Sequence, residues 1–339
     1  MPSAIVFDCE GPRMSAEEKA FFRDVDPWGF IVFARHCSST EELQAHCDEL
    51  RDSVGRAAPI LIDQEGGRVT RMKPPTFLQM PPPAVFGELH KLDPAKAAQA
   101  ARLGGWVLGR MVSDCGVDVN CIPMADVPQP DADPTVIGDR AYAKHPEIIA
   151  GLARAAAEGL EAGGARPILK HLPGHGRALC DSHYDLPRVS ASKEDLRTVD
   201  FAPFKALNDL KMAMTAHIVY EAFDPDRPAT ISPIVVNDVI RGEIGFDGLL
   251  FSDDLKMKAL GGSMDKRLSE SLDAGCDLAL CCNFDMKEKK EVMKGARPLV
   301  GEAAARAEAA LAAPAREDGD LNDHWRKLQE LLKPVMPVA

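Results

Sequence analysis

Eight short apolar runs rich in β-formers, separated by stretches of helical character, constrain this chain more than any other feature. The runs fall at 4–9, 29–34, 59–63, 117–123, 167–171, 212–217, 248–253 and 277–282. Helical patterns occupy 16–24, 40–54, 94–114, 146–162, 193–209, 233–243 and 265–274. Several of these open on start signals: Ser15 with Glu18 three residues on, Ser39 and Thr40 before a glutamate pair, and Ser192 with Asp195 close behind. Gly163, Gly245 and Gly275 close three of them. Strand–helix alternation repeated eight times predicts an α/β fold, a (β/α)8 TIM barrel. A doubly wound open sheet would carry a Gly-x-Gly-x-x-Gly turn after its first strand, and this chain does not. The alanine- and charge-rich tail from Gly301 to Lys333 reads as helices outside the barrel. The expected organisation is one catalytic domain over 1–339, with 286–339 as a helical extension packed on it. The proline-rich stretch 72–83 sits where a barrel loop belongs.

The composition narrows the partners. A chain of 339 residues with 45% hydrophobic and 27% charged side chains has ample material for a core. A formal net charge of -12 argues against a nucleic-acid surface, which needs a basic face. The N-terminus runs straight into a strand without a basic region and apolar stretch, and no apolar run approaches the roughly 20 residues of a membrane helix. Nine cysteines, an odd number without a Cys-x-x-Cys pair, read as buried reduced thiols. A cytoplasmic protein, a monomer or weak dimer without metal or cofactor, is the expectation.

Polar residues collect where the strands end. Asp63-Gln64-Glu65 closes the third, Asp126 follows the fourth and Lys170-His171 closes the fifth. His217 closes the sixth and Ser252-Asp253-Asp254 the seventh. In a barrel these ends share one face, where such enzymes keep their sites. The fifth end is the richest, running Lys170-His171-Leu172-Pro173-Gly174-His175-Gly176 and then Asp181-Ser182-His183. That stretch is too polar for a core and too rich in glycine for a helix, so it reads as a loop presenting functional groups.

Each group has a chemical use and a structural one. Asp253, at the rim of an apolar strand, can act as a nucleophile or bind a ligand hydroxyl, while either Asp253 or Asp254 could cap a helix from Leu255, Asp254 being the better cap. Asp181 and His183, two apart, project to one face of an extended segment, where the carboxylate orients the imidazole as an acid/base pair near neutral pH. His171, His175 and His183 with Asp181 could instead be metal ligands, although no His-x-His pair closes an early strand. Asp63 can accept two sugar hydroxyls, and Arg71 and Arg140 can donate. Arg68 paired to Glu65 would be a structural bridge. Cys180 beside Asp181 could make the loop sensitive to oxidation or be an inert small residue.

Taken together, Lys170–Gly176 with Asp181-Ser182-His183, the run from Asp63 to Arg71, and Ser252-Asp253-Asp254-Leu255-Lys256-Met257 resemble glycoside hydrolase family 3, and within it the bacterial β-N-acetylglucosaminidases of cell-wall recycling. The resemblance runs from about Val6 to Cys282. It implies a (β/α)8 barrel, Asp253 as a nucleophile that forms a covalent glycosyl intermediate, and His183 as general acid/base oriented by Asp181. It places Asp63, Arg71, Arg140, Lys170 and His171 around an N-acetylglucosamine unit. The usual retaining design has two carboxyl groups about 5–5.5 Å apart; here a histidine–aspartate dyad replaces one of them.

The activity so implied is exo-acting removal of a non-reducing N-acetylglucosamine, from a carbohydrate or a muropeptide that carries 1,6-anhydro-muramic acid, with no cofactor. A phosphorylase on the same scaffold is the nearest alternative, because a histidine repels incoming phosphate less than a carboxylate base does. A sugar-binding protein without catalysis and a metal-dependent barrel hydrolase are more distant ones.

Overall fold

Eight parallel strands pair in sequence order and the first pairs the last. A computed structural model describes residues 1–182, 185–312 and 316–336. The strands are Ser3–Phe7, Pro27–Val32, Ile60–Ile62, Val119–Asn120, a fifth in two pieces (Arg166–Pro167 and Leu169–Leu172), Met212–Thr215, Leu249–Asp254 and Leu278–Cys281. Closure runs through the fifth: Arg166 is in register with Val119 on one side, and Leu169 with Ala213 on the other. The amide of Ile168 bonds the Asn120 carbonyl at 3.1 Å, so the two pieces are one path along the fourth strand. The first strand pairs the eighth through Ile5 and Ala279. A short parallel pair, Arg188–Val189 with Val219–Tyr220, lies outside the barrel.

All eight expected strands appear, with bounds that differ from the expected ones by one to three residues at most ends. They are apolar throughout because a parallel sheet ringed by helices is buried on both faces, as Phe7, Phe30, Leu61, Met212, Phe251 and Leu278 are. The expected helix starts hold as well. Ser15 makes a full capping box with Glu18, and the hydroxyls of Ser39 and Ser192 accept the amides of Glu42 and Asp195. Gly245 and Gly275 close their helices, whereas Gly163 is the last residue of its helix and Gly164 takes the left-handed cap.

Three differences from the expectation matter. The segment expected as one helix over 193–209 is broken into Lys193–Asp195, a wide turn at Leu196–Asp200 and Ala202–Ala206. A helix absent from the expectation, Ala84–Leu92, follows the proline-rich loop. No helix starts at Leu255, so Asp254 is not a helix cap; its Oδ1 accepts the amides of Lys256 and Cys282, both at 3.0 Å, and ties the seventh strand to the end of the eighth.

The helices Pro94–Ser113 and Pro146–Gly163 pack with their backbones almost touching. A Cβ on Gly105 would lie 2.1 Å from the Ala156 carbonyl, so only glycine fits there. Beyond the barrel, Met286–Val292, Gly301–Ala310 and Leu321–Leu332 are helical. The last buries Leu328 and Leu332 and stacks His324 on Trp106, with ring centroids 3.8 Å apart. No helix among the described residues is long and apolar enough to cross a membrane.

Candidate active site

At the carboxyl ends of the strands a cavity of about 450 Å³ opens, in the size range of a small-ligand pocket. Asp63, Arg71, Arg140, Lys170, His171, Asp181 and Asp253 all line it, so residues from five separate parts of the sequence meet there. His183 lies outside the described residues.

One wall is a buried ion network. The ammonium of Lys170 sits 2.9 Å from Asp63 Oδ1 and 2.6 Å from Glu65 Oε1. Arg140 holds Glu65 with both prongs of its guanidinium, each at 2.8 Å, and Arg71 reaches Asp63 Oδ2 at 3.3 Å. Burial works against each charge, but the opposite charges outweigh it. The Lys170 proton is held well above its ordinary range by Asp63 and Glu65. Lys170 and Arg71 hold Asp63 below the usual carboxylate range, and Arg140 and Lys170 do the same for Glu65. Arg68, expected to bridge Glu65, instead reaches Asp139 at 3.3 Å and the Val136 carbonyl at 2.9 Å. Glu65, read from the sequence as half of a structural bridge with Arg68, is instead the centre of the wall.

Gln64 explains how Arg71 is aimed. Its side-chain oxygen accepts the amides of Arg71 at 2.8 Å and Met72 at 3.0 Å. Its backbone in turn exchanges two 2.9 Å bonds with the Asn120 side chain on the next strand.

The floor is built around Asp126. This fully buried carboxylate accepts Nδ1–H of His171 at 2.8 Å on one oxygen and the amide of His175 at 2.6 Å on the other. Burial alone would raise its pKa, yet the facing imidazoles and the amide hold it below the ordinary value. With Nδ1 committed to Asp126, His171 turns Nε2 away from the floor. His175, with its amide fixed and burial pushing its pKa down to about 4, stays neutral. A lone charge in the apolar run Met124-Ala125-Asp126-Val127 was the available signal, since a buried carboxylate needs partners.

Asp253 ends the seventh strand and accepts the amide of Asp254 at 2.8 Å. Burial raises its pKa, but His217, His171 and that amide outweigh it, so the carboxylate is ionised at neutral pH. Its neighbour differs: burial pushes Asp254 up to about 7. His217 does not line the cavity; its nitrogens contact Thr230 Oγ1 at 2.7 Å and the Asp254 carbonyl at 2.9 Å. It supports the seventh strand from behind.

The loop after the fifth strand is anchored at its base. Gly176 bonds Gln129 through its carbonyl, and a Cβ there would lie 1.9 Å from the Val127 carbonyl. Arg177 reaches Asp200 at 2.8 Å. Farther out, Leu179 is exposed and Cys180 is half-buried. Burial and the nearby Asp185 push the Cys180 thiol up, which favours the inert reading over oxidation. His171 Nδ1 is bonded to Asp126 at 2.8 Å, and His175 Nε2 lies 3.4 Å from the Ser182 hydroxyl. Among the described residues no three metal-ligating side chains converge on a metal position.

Ion-paired carboxylates and cations thus line a cavity at the carboxyl ends of the barrel strands. The profile of the glycosyl hydrolase family 3 N terminal domain matches residues 3–311. The chain belongs to glycosyl hydrolase family 3. A β-hexosaminidase of Alkalilimnicola ehrlichii is 38% identical over 285 residues, 82% of this chain and 80% of the relative. One from Neisseria meningitidis is 37% identical over 284 residues, 82% of this chain and 78% of the relative. NagZ from Neisseria gonorrhoeae, solved in complex with N-trifluoroacetyl-D-glucosamine, superposes with a TM-score of 0.85 at 30% identity over 98% of this chain and 97% of that one. The chain is a glycoside hydrolase of the β-hexosaminidase type.

Proposed function

We propose that this family 3 hydrolase is a retaining exo-β-N-acetylglucosaminidase that works through a covalent glycosyl-aspartate. The observation that carries the reading is Asp253, an ionised carboxylate near the end of a barrel strand, lining a sugar-sized cavity together with Asp63, Lys170 and Glu65. Asp63, Arg71, Arg140, Lys170 and His171 form the sugar subsite in this reading. The paired carboxylate and cations offer both acceptors and donors to the ring hydroxyls.

Two displacements follow. In the first, a carboxylate oxygen of Asp253 attacks the anomeric carbon as the glycosidic C–O bond breaks, and His183 gives its proton to the departing oxygen. In the second, His183 takes a proton from water as that water attacks the anomeric carbon, the C–O bond to Asp253 breaks, and the carboxylate is restored. Asp181, which lines the cavity, orients His183 and balances its charge. The role of His183 comes from the sequence resemblance.

Among the described residues, the four lysine and arginine side chains lining the cavity, Arg68, Arg71, Arg140 and Lys170, are each paired with a carboxylate. That pairing favours water over phosphate as the second nucleophile, because a phosphate would have to compete for cations already neutralised. For the physiological substrate we assign a 1,6-anhydro-muropeptide of peptidoglycan recycling. The nine free thiols support a reducing, cytoplasmic setting. We assign one catalytic domain, with 286–339 as its helical extension, working as a monomer or weak dimer.

Release of chromophore from an aryl β-N-acetylglucosaminide, with and without added phosphate, tests the reading. Turnover independent of phosphate is expected. Turnover only with phosphate would make the enzyme a phosphorylase, and binding without turnover would make it a lectin-like protein.

A further inference from the structure

Ser182 stands between Asp181 and His183, and nothing in the two-step reaction uses it. It is nonetheless 2% exposed, in a loop whose neighbouring Leu179 is 65% exposed. Its carbonyl accepts the amide of Ala259 at 3.2 Å, and its hydroxyl lies 3.4 Å from His175 Nε2, at the long end of hydrogen-bond range. Both partners are fixed from elsewhere. Ala259 lies in the turn that leaves Asp253, and His175 is held through its amide by Asp126. The ring of His175 has no other polar partner among the described residues: its Nδ1 is buried and unbonded. Ser182 is therefore the hydroxyl toward which this buried imidazole is turned.

We propose that Ser182 is the positioning residue of the acid/base loop. Seated between His175 and Ala259, it fixes the backbone next to Asp181, one residue before His183 in the sequence. The segment from Gly176 leads to Asp181 and Ser182, which line the cavity. Its base is tied down by the Gln129–Gly176 and Asp133–Ala178 backbone bonds and by Arg177–Asp200. Ser182 supplies a second anchor, adjoining Asp181. An error of about 1 Å in the placement of a proton donor costs on the order of a hundredfold in rate. A buried pin next to the donor is a direct means of avoiding that error. The same contact links the two halves of the reaction, because Ala259 follows the strand that carries Asp253.

The inference rests on the acid/base role given to Asp181 and His183 above, and leaving-group dependence separates it from a general loss of fold. A phenyl β-N-acetylglucosaminide needs its leaving oxygen protonated, whereas the 2,4-dinitrophenyl analogue departs without help. For Ser182→Ala the expected result is a fall in kcat/KM of about 10- to 100-fold on the phenyl substrate and less than about 3-fold on the dinitrophenyl one. His175→Leu should show the same split, His175→Gln, which keeps a polar atom near the position of Nε2, should restore much of it, and the double variant should be no worse than the poorer single one. An equal fall on both substrates, or no fall on either, would overturn the pin while leaving the glycosidase reading intact. A wild-type enzyme that turned over neither substrate would overturn the reading and the pin with it.

Discussion

Asp126 and His171 form a buried histidine–aspartate pair, 2.8 Å apart, in the wall of the cavity. Because the carboxylate also takes the amide of His175, one side chain sets both the His171 ring in the cavity and the start of the loop beyond it. Asp126→Asn keeps the shape but offers an amide N–H where an acceptor is needed. We expect kcat/KM to fall about 10- to 100-fold, as for other partners that orient a site histidine, with a lower melting temperature. Steady-state kinetics with a melting curve would check this, and an unchanged kcat/KM would remove Asp126 from the account.

Glu65 is the counter-charge for two cations, Lys170 and Arg140. Glu65→Gln leaves the Lys170 ammonium buried with Asp63 as its one remaining carboxylate. Breaking a buried pair in this way costs about 3–5 kcal/mol. The expected outcome is a loss of that order in urea unfolding and a raised KM for aryl N-acetylglucosaminides. A loss below about 1 kcal/mol, the value of a surface pair, would contradict the network.

Asp254 makes a prediction about pH. Its carboxyl titrates at about 7 in the fold and near 3.8 when unfolded, with burial the main cause. Between those values the folded chain holds a proton that the unfolded chain has released, so this group's contribution to stability falls as pH rises through the window and is constant above it. Asp254→Asn keeps an acceptor for the amides of Lys256 and Cys282 and has no charge to bury. The stability of the variant relative to the wild type should therefore improve from pH 5 to pH 8, by at least about 1 kcal/mol. Urea unfolding at the two pH values measures it; an equal difference at both would show that Asp254 is already ionised.

The strands and most of the site were legible for the same reason. In a parallel barrel the strand interiors must be apolar, so a charge at a strand end stands out, and Asp63, Lys170, His171 and Asp253 were found that way. What could not be read depends on partners distant in sequence. Glu65 meets Arg140 and Lys170 across 75 and 105 positions, so the nearer Arg68 was the natural but wrong partner. The break in the helix over 193–209 has a similar origin. A wide turn at Leu196–Asp200 brings Asp200 to Arg177 at the base of the active-site loop, overriding a local preference for continuous helix. Asp254 looked like a cap because the turn at Lys256 resembles a helix start, but its second bond, to Cys282, comes from another strand.

The claim at the centre of the account is that Asp253 attacks the sugar. The most direct test is the mass of the protein after reaction with a slow 5-fluoro-N-acetylglucosaminyl fluoride, followed by peptide mapping. One added sugar is expected, carried on the peptide that contains Asp253 and lost from Asp253→Ala. Label on a different residue, or an active enzyme that never accumulates label, would contradict it.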